Sequence, residues 1–167
     1  MFLYSLLALA VVTALIFAAP LKAKVWATLA VVAAGALWAS ATAVGVLAGG
    51  HTVRLWATDV FLFGSDAGSM DPLSALFALI VSVGAVAAVL YSRGYLAHYL
   101  GRKSPAHISL HYTALATMFY AMLGVVTSEG GFSFLFFWEL MTVASFLLIL
   151  FDAERRELFR TSGADAV

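Results

Sequence analysis

One apolar run with a single carboxylate inside it constrains this chain more than any other feature. Residues 132–151 are apolar except for Ser133, Glu139, Thr142 and Ser145. About 20 apolar residues wound as a helix reach across the ~30 Å hydrocarbon layer of a bilayer, so residues 131–152 predict a membrane span. Glu139 falls near its midpoint, slightly toward Phe132. A charge at such a depth costs about 2.5–3.5 kcal/mol on insertion scales. That cost points to a carboxylate facing protein or water rather than lipid. Two roles fit it: a group that carries protons, or a neutral glutamic acid hydrogen-bonded to a neighbouring helix.

The rest of the chain is equally apolar. Of its 167 residues 63% are hydrophobic and only 11% are charged, and the mean hydropathy is +1.01. Soluble domains carry about 25% charged residues, so this composition assigns nearly the whole chain to lipid. The net charge is zero and there is no basic stripe, which argues against a nucleic-acid partner. Because cysteine is absent, disulfides, thiolate metal sites, iron–sulfur ligation and a cysteine nucleophile are excluded. No two of the four histidines, His51, His98, His107 and His111, fall at ligand spacing on one expected helix, since His107 precedes the span that holds His111. Neither a metal nor a cofactor is expected, and the chain carries no catalytic chemistry of its own.

Polar punctuation divides the sequence into five apolar segments. The first, residues 2–19, ends at Pro20. No Lys or Arg precedes it and a second span follows almost at once, which favours a retained helix over a cleaved signal peptide. The second, residues 25–48, places Gly35, Ala39, Gly45 and Gly49 at the small-residue spacing that lets helices approach closely in lipid. Residues 49–70 are the longest break. Their alternation around Val53, Leu55, Val60, Leu62 and Phe63 suits either a short strand pair or an interfacial segment, and Trp56 suits the headgroup region. Asp71-Pro72 is a helix start signal, opening a third span over residues 73–95. A fourth covers residues 110–127, and Ser128 to Gly131 turns into the fifth. The tail alternates charges (Glu154, Arg155, Arg156, Glu157, Arg160).

With five spans the loops alternate between two faces. Lys22, Lys24, Arg93, Arg102, Lys103, Arg155, Arg156 and Arg160 fall on one face and Arg54 alone on the other, so eight of the nine basic residues share a side. Positive residues mark the cytoplasmic side, which predicts an outside N-terminus and a cytoplasmic C-terminus. The expected fold is all-α, a polytopic membrane protein of five transmembrane helices.

Within the fifth segment Thr142 shares the helical face of Glu139, flanked by Leu135 and Val143. Its hydroxyl is placed either to support the carboxylate or to bond its own backbone. Burial raises a carboxyl pKa and a nearby cation lowers it, so a carboxylate approached by a mobile cation works as a proton switch. Every Lys and Arg of this chain falls in a loop or at a segment end. The partner cation of such a switch must therefore come from elsewhere.

Three stretches carry a resemblance. They are Met70-Asp71-Pro72-Leu73-Ser74-Ala75-Leu76-Phe77 with Val89-Leu90-Tyr91-Ser92-Arg93-Gly94-Tyr95-Leu96, then Met122-Leu123-Gly124-Val125-Val126, then Phe137-Trp138-Glu139-Leu140-Met141 with Ser145-Phe146-Leu147-Leu148. In order and spacing they resemble the first half, the N-terminal part, of the antiporter-like subunits shared by respiratory complex I, Mrp-type sodium/proton antiporters and energy-converting membrane hydrogenases, including formate hydrogenlyase membrane subunits. The resemblance covers residues 70–158. It implies that Glu139 is the proton-channel carboxylate, working with a lysine on a seventh helix within a subunit of about fourteen helices built from inverted repeats. Those further helices have no counterpart among the 167 residues. Three alternatives follow: a piece of a split subunit, a truncated and inactive remnant, or a small structural subunit using the helices as a scaffold.

The resulting expectation has three parts. Residues 1–69 form two helices and an external loop, residues 70–158 the antiporter-like helices, and residues 159–167 a short polar tail. The chain sits in the cell (inner) membrane among other membrane subunits, one of which supplies the lysine-bearing helices. Glu139 carries protons and Thr142 supports it.

Overall fold

The structure, a computed structural model, describes residues 14, 16, 18, 20–60, 64–97 and 104–164, and of these the backbone alone at 21, 22, 58–60, 64, 97 and 152–164. Four helices and one hairpin make up the described fold. Helix α1 spans Leu21–Gly49, strands β1 and β2 span Val53–Val60 and Gly64–Met70, and α2 spans Pro72–Ala97. Helices α3 and α4 span Pro105–Thr127 and Gly131–Ala164. Each helix is long and apolar enough to cross a membrane, over Ala23–Gly49, Pro72–Leu96, Pro105–Thr127 and Gly131–Phe151. The described residues thus hold four such helices against the five expected. The first apolar segment lies outside them, apart from helical positions such as Ile16.

The expectation of a purely helical chain needs one correction, because the break before α2 is a β-hairpin. β1 and β2 pair antiparallel, Val53 with Met70 through Val60 with Gly64, and the register shifts between Arg54 and Trp56. Trp56 lies opposite Gly68, and its indole packs so closely on that glycine that a Cβ there would collide with the ring. A large aromatic covering a glycine across a strand pair restores the packing that the bare residue lacks.

Helix boundaries follow local chemistry. Asp71 caps α2 as its sequence predicts: the Ser74 amide donates to its carboxylate at 2.6 Å. That hydrogen bond holds the Asp71 carboxyl below its ordinary range. At the end of α1, Gly50 adopts φ 64° and donates its amide to the Val46 carbonyl at 2.8 Å. A left-handed residue closing a helix is a role glycine fills without a Cβ clash. Helix α3 begins five residues before the expected residue 110, with Ser104 at the N-cap and Pro105 in its first turn. Ser109 donates back to the Pro105 carbonyl at 2.9 Å, and Ile108 is buried.

Helix α1 packs along α2 and α3 along α4, and α3 joins the two pairs by touching both α1 and α2. The joint has a specific device. Tyr120 on α3 donates its hydroxyl to the Val31 carbonyl of α1 at 2.7 Å, and its ring occupies the space a side chain at Gly35 would need. Small residues let helices approach in lipid because the driving force there is contact itself. Val32, Ala36, Ala39, Ala43 and Val46 continue the buried stripe of α1. Away from the hairpin, Arg93 lies 5.3 Å above the Trp26 ring, and His111 packs against Tyr95 and Phe151. Lys24 there is 3% exposed, and its ammonium donates to the Ile16 carbonyl at 3.0 Å.

Candidate functional site

Helix α4 carries the candidate site, and two of its faces differ sharply. On one side Ser133, Ala144 and Phe151 are buried, and Phe137 packs into the space left by Gly124 of α3. On the other, Leu135, Trp138, Glu139, Thr142, Val143, Phe146 and Ile149 are exposed. Their three- and four-residue spacings make one continuous stripe along the helix. Glu139 and Thr142 lie at its centre, side by side. Eight residues separate Glu139 from Gly131, about 12 Å along the axis at 1.5 Å per residue.

Glu139 makes no hydrogen bond or ion pair to any described residue. Thr142 is exposed and donates its hydroxyl to the Trp138 carbonyl of its own helix at 3.0 Å. Of the two roles its position allows, the backbone bond is the one formed. Ser145 does likewise with Thr142. This habit runs through the protein: Thr28, Thr42, Ser92, Thr127 and Ser128 all donate to carbonyls three or four residues back. Hydroxyls in spanning helices satisfy themselves in this way when no better acceptor is near. The carboxylate of Glu139 has no such local recourse, since an ionised carboxylate only accepts.

Basic residues within the four spans, among the described residues, are Lys24 and Arg93. Both lie at the end of the bundle away from the hairpin. Glu139 is nearer the hairpin, so neither is its counter-ion. Among the described residues no three His, Asp or Glu side chains gather where they could hold a metal ion.

A second carboxylate, overlooked in the sequence, acts on the same helix. Asp66 of β2 is 5% exposed and accepts hydrogen bonds from the Ser133 amide at 2.8 Å, the Ser133 hydroxyl at 3.0 Å and its neighbouring Ala67 amide at 2.9 Å. Ser133 is the third residue of α4, so Asp66 fills the place of an N-cap side chain. The residue actually at the N-cap position, Gly130, has none, and its missing Cβ would collide with the Asp66 carboxylate. Backbone bonds reinforce the joint, with the Glu129 amide donating to the Ala67 carbonyl at 2.9 Å and a bridge between Gly68 and Ser128. Beside it opens a cleft of about 430 Å³, lined by Arg54, Ser65, Asp66 and Glu129 among others.

No family model matches the chain. Individual relatives do. The chain is 39% identical over 87 residues to Na(+)/H(+) antiporter subunit A1 of Staphylococcus aureus, covering 52% of this chain and 10% of that protein. It is 35% identical over 88 residues to NAD(P)H-quinone oxidoreductase chain 5 of Picosynechococcus sp., 53% of this chain and 12% of the relative. A Staphylococcus saprophyticus protein that bears the name antiporter subunit mnhA2 is 35% identical over 82 residues, 49% of this chain and 10% of its own length. The chain therefore spans about a tenth of the length of the curated relatives it matches. Four helices able to span a bilayer and these relatives make it a multi-pass membrane protein. Over about half of its length, this protein is related by sequence to the antiporter-like subunit family of Mrp-type antiporters and complex I-like oxidoreductases.

Proposed function

We propose that this chain forms part of a proton-translocating, antiporter-like membrane subunit in which Glu139 is a proton carrier. The observation that supports this best is the stripe on α4. A carboxylate sits in the middle of a 21-residue apolar helix, on a face that none of the described helices covers. Left against lipid it would cost several kcal/mol. Helices of the wider assembly relieve that cost by covering the stripe and presenting a basic group or a water path to Glu139. The relatives' names describe sodium/proton antiport and quinone-linked oxidoreduction, and both belong to membrane assemblies in which such a group would work.

The mechanism follows from how a carboxyl responds to its surroundings. Without a nearby cation, burial favours the protonated acid. A lysine ammonium drawn close favours the carboxylate and releases the proton. Withdrawal of the cation lets Glu139 recapture one from the opposite side. In this reading the basic group is supplied by helices other than the four described, and Thr142 lines the route without bonding the carboxylate. Five spans with an outside N-terminus complete the arrangement. They put eight of nine basic residues in the cytoplasm, together with the Arg93 end of α2, and leave the hairpin outside.

The test is Glu139→Gln in the assembled complex. The amide keeps the shape but takes up no proton in the working range. Proton movement is expected to cease while the complex still assembles. Normal pumping by the variant refutes the proposal, and collapse of the assembly identifies a scaffold role instead.

A further inference from the structure

The cap on α4 is unusual in where it comes from. A helix commonly caps its first turn with its own N-cap side chain. Here the capping carboxylate arrives from a residue 67 positions earlier, on the far strand of the hairpin. A local cap would satisfy the same amides. Gly130 does not require glycine for its backbone, since Gly50 alone has positive φ among the described residues. What keeps a side chain out of position 130 is the Asp66 carboxylate itself. The arrangement therefore does something a local cap cannot: it ties the start of α4 to a second structural element.

We infer that Asp66 is a positioning residue for Glu139, a hairpin-borne clasp that fixes the depth and rotation at which α4 presents its exposed stripe. This inference rests on the proton-carrier reading of Glu139 for its functional consequence, though not for its structural one. Three features give the clasp its stiffness. The carboxylate is almost wholly buried, so its bonds to Ser133 work in a medium of low polarity. Both oxygens are engaged, one by the Ser133 amide and the other by the Ser133 hydroxyl and the Ala67 amide. The same strand also holds the α3–α4 turn through the Ala67 carbonyl and the Gly68–Ser128 bridge. Glu139 lies six residues beyond Ser133, about 9 Å along the axis. A turn or slide of α4 at its capped end is carried rigidly to the carboxylate. A slip of one residue turns the helix by about 100° and moves it by about 1.5 Å, enough to take Glu139 off its stripe.

The decisive variant moves the cap rather than deleting it. Asp66→Ala opens the space at position 130, and Gly130→Asp then places a carboxylate at the true N-cap. The double variant keeps a capped helix but cuts the side-chain tie to the hairpin. The chain has no native cysteine, so nitroxide labels at Ala57→Cys on β1 and Leu150→Cys on α4 report the distance between hairpin and helix within the full protein in its assembly. With Asp66 present a single narrow distance is expected. In the double variant it should shift or broaden by about 1.5 Å or more, one residue's rise, with proton transport falling several-fold although thermal stability is regained. A wild-type distance, or wild-type transport despite a shifted helix, overturns the inference. Glu139→Gln keeps the two readings apart: if that variant pumps normally the carrier reading fails, while the distance measurement still decides whether Asp66 holds the helix.

Discussion

Two carboxylates bear on one helix, and they are opposites. Asp66 is buried, accepts three hydrogen bonds and has every partner within the chain. Glu139 is exposed on the same helix and makes no hydrogen bond or ion pair to a described residue. The first is what a structural carboxylate looks like when the fold supplies its donors. The second is what remains when the fold supplies none, and its place in an apolar helix makes that omission costly. The contrast separates a group that builds the molecule from one that awaits something outside the described residues.

Substitutions can sharpen that contrast or break it. Glu139→Gln carries the largest expected effect, a loss of proton movement in the assembly, yet the chain's own resistance to unfolding in detergent should be unchanged or slightly greater. A marked loss of stability would show that Glu139 has a partner inside the chain and end the comparison. Asp66→Ala should act the other way, lowering stability by about 1.5–3 kcal/mol because buried amides lose a charged acceptor, as read by thermal or denaturant unfolding. Asp71→Ala removes a local cap from α2 and should cost about 1 kcal/mol. That contribution depends on pH in a fixed direction. The folded Asp71 carboxyl titrates below its ordinary value of 3.8, chiefly through the Ser74 amide. Its stabilisation is thus complete above about pH 3.8 and lost as the pH falls through the lower folded value. The Asp71→Ala protein should show none of that loss. Tyr120→Phe is expected to be mildest, about 0.6 kcal/mol, the usual worth of a hydrogen bond between membrane helices.

Much of this was readable from residues alone, and the gaps have physical causes. The Glu139 helix and the Asp71-Pro72 start are local patterns, so the sequence displays them directly; the small-residue spacing of α1 holds only in part, since Gly35 and Ala39 meet the bundle while Gly45 and Gly49 are exposed. The hairpin was only one of two readings, because β2 is Gly-Ser-Asp-Ala-Gly-Ser-Met and contains no β-branched or aromatic residue. It is a strand by virtue of its partner and of Trp56 covering Gly68. Helix α3 starts earlier than its apolar pattern indicates, because His107, Ser109 and His111 dilute the apolar signal of its first turns. Asp66 was invisible for a deeper reason. Its signature would be a polar residue at position 130, and the cap's distant origin is what forces that position to be glycine. The exposed stripe around Glu139 could be drawn from helical spacing, but which neighbours leave it open required the packing of α3.

One bond at the other end of the bundle answers a question posed by Pro20. In an unbroken helix the oxygen of residue 16 would be met by the nitrogen-bound hydrogen of residue 20, and a pyrrolidine ring has none to offer. The ammonium of Lys24, one turn further on, delivers the absent hydrogen through a side chain. A helix interrupted by an imino acid can thus enter the oily phase without a naked oxygen. Lys24→Met should strand that oxygen, and Pro20→Ala in the same chain should make the lysine dispensable.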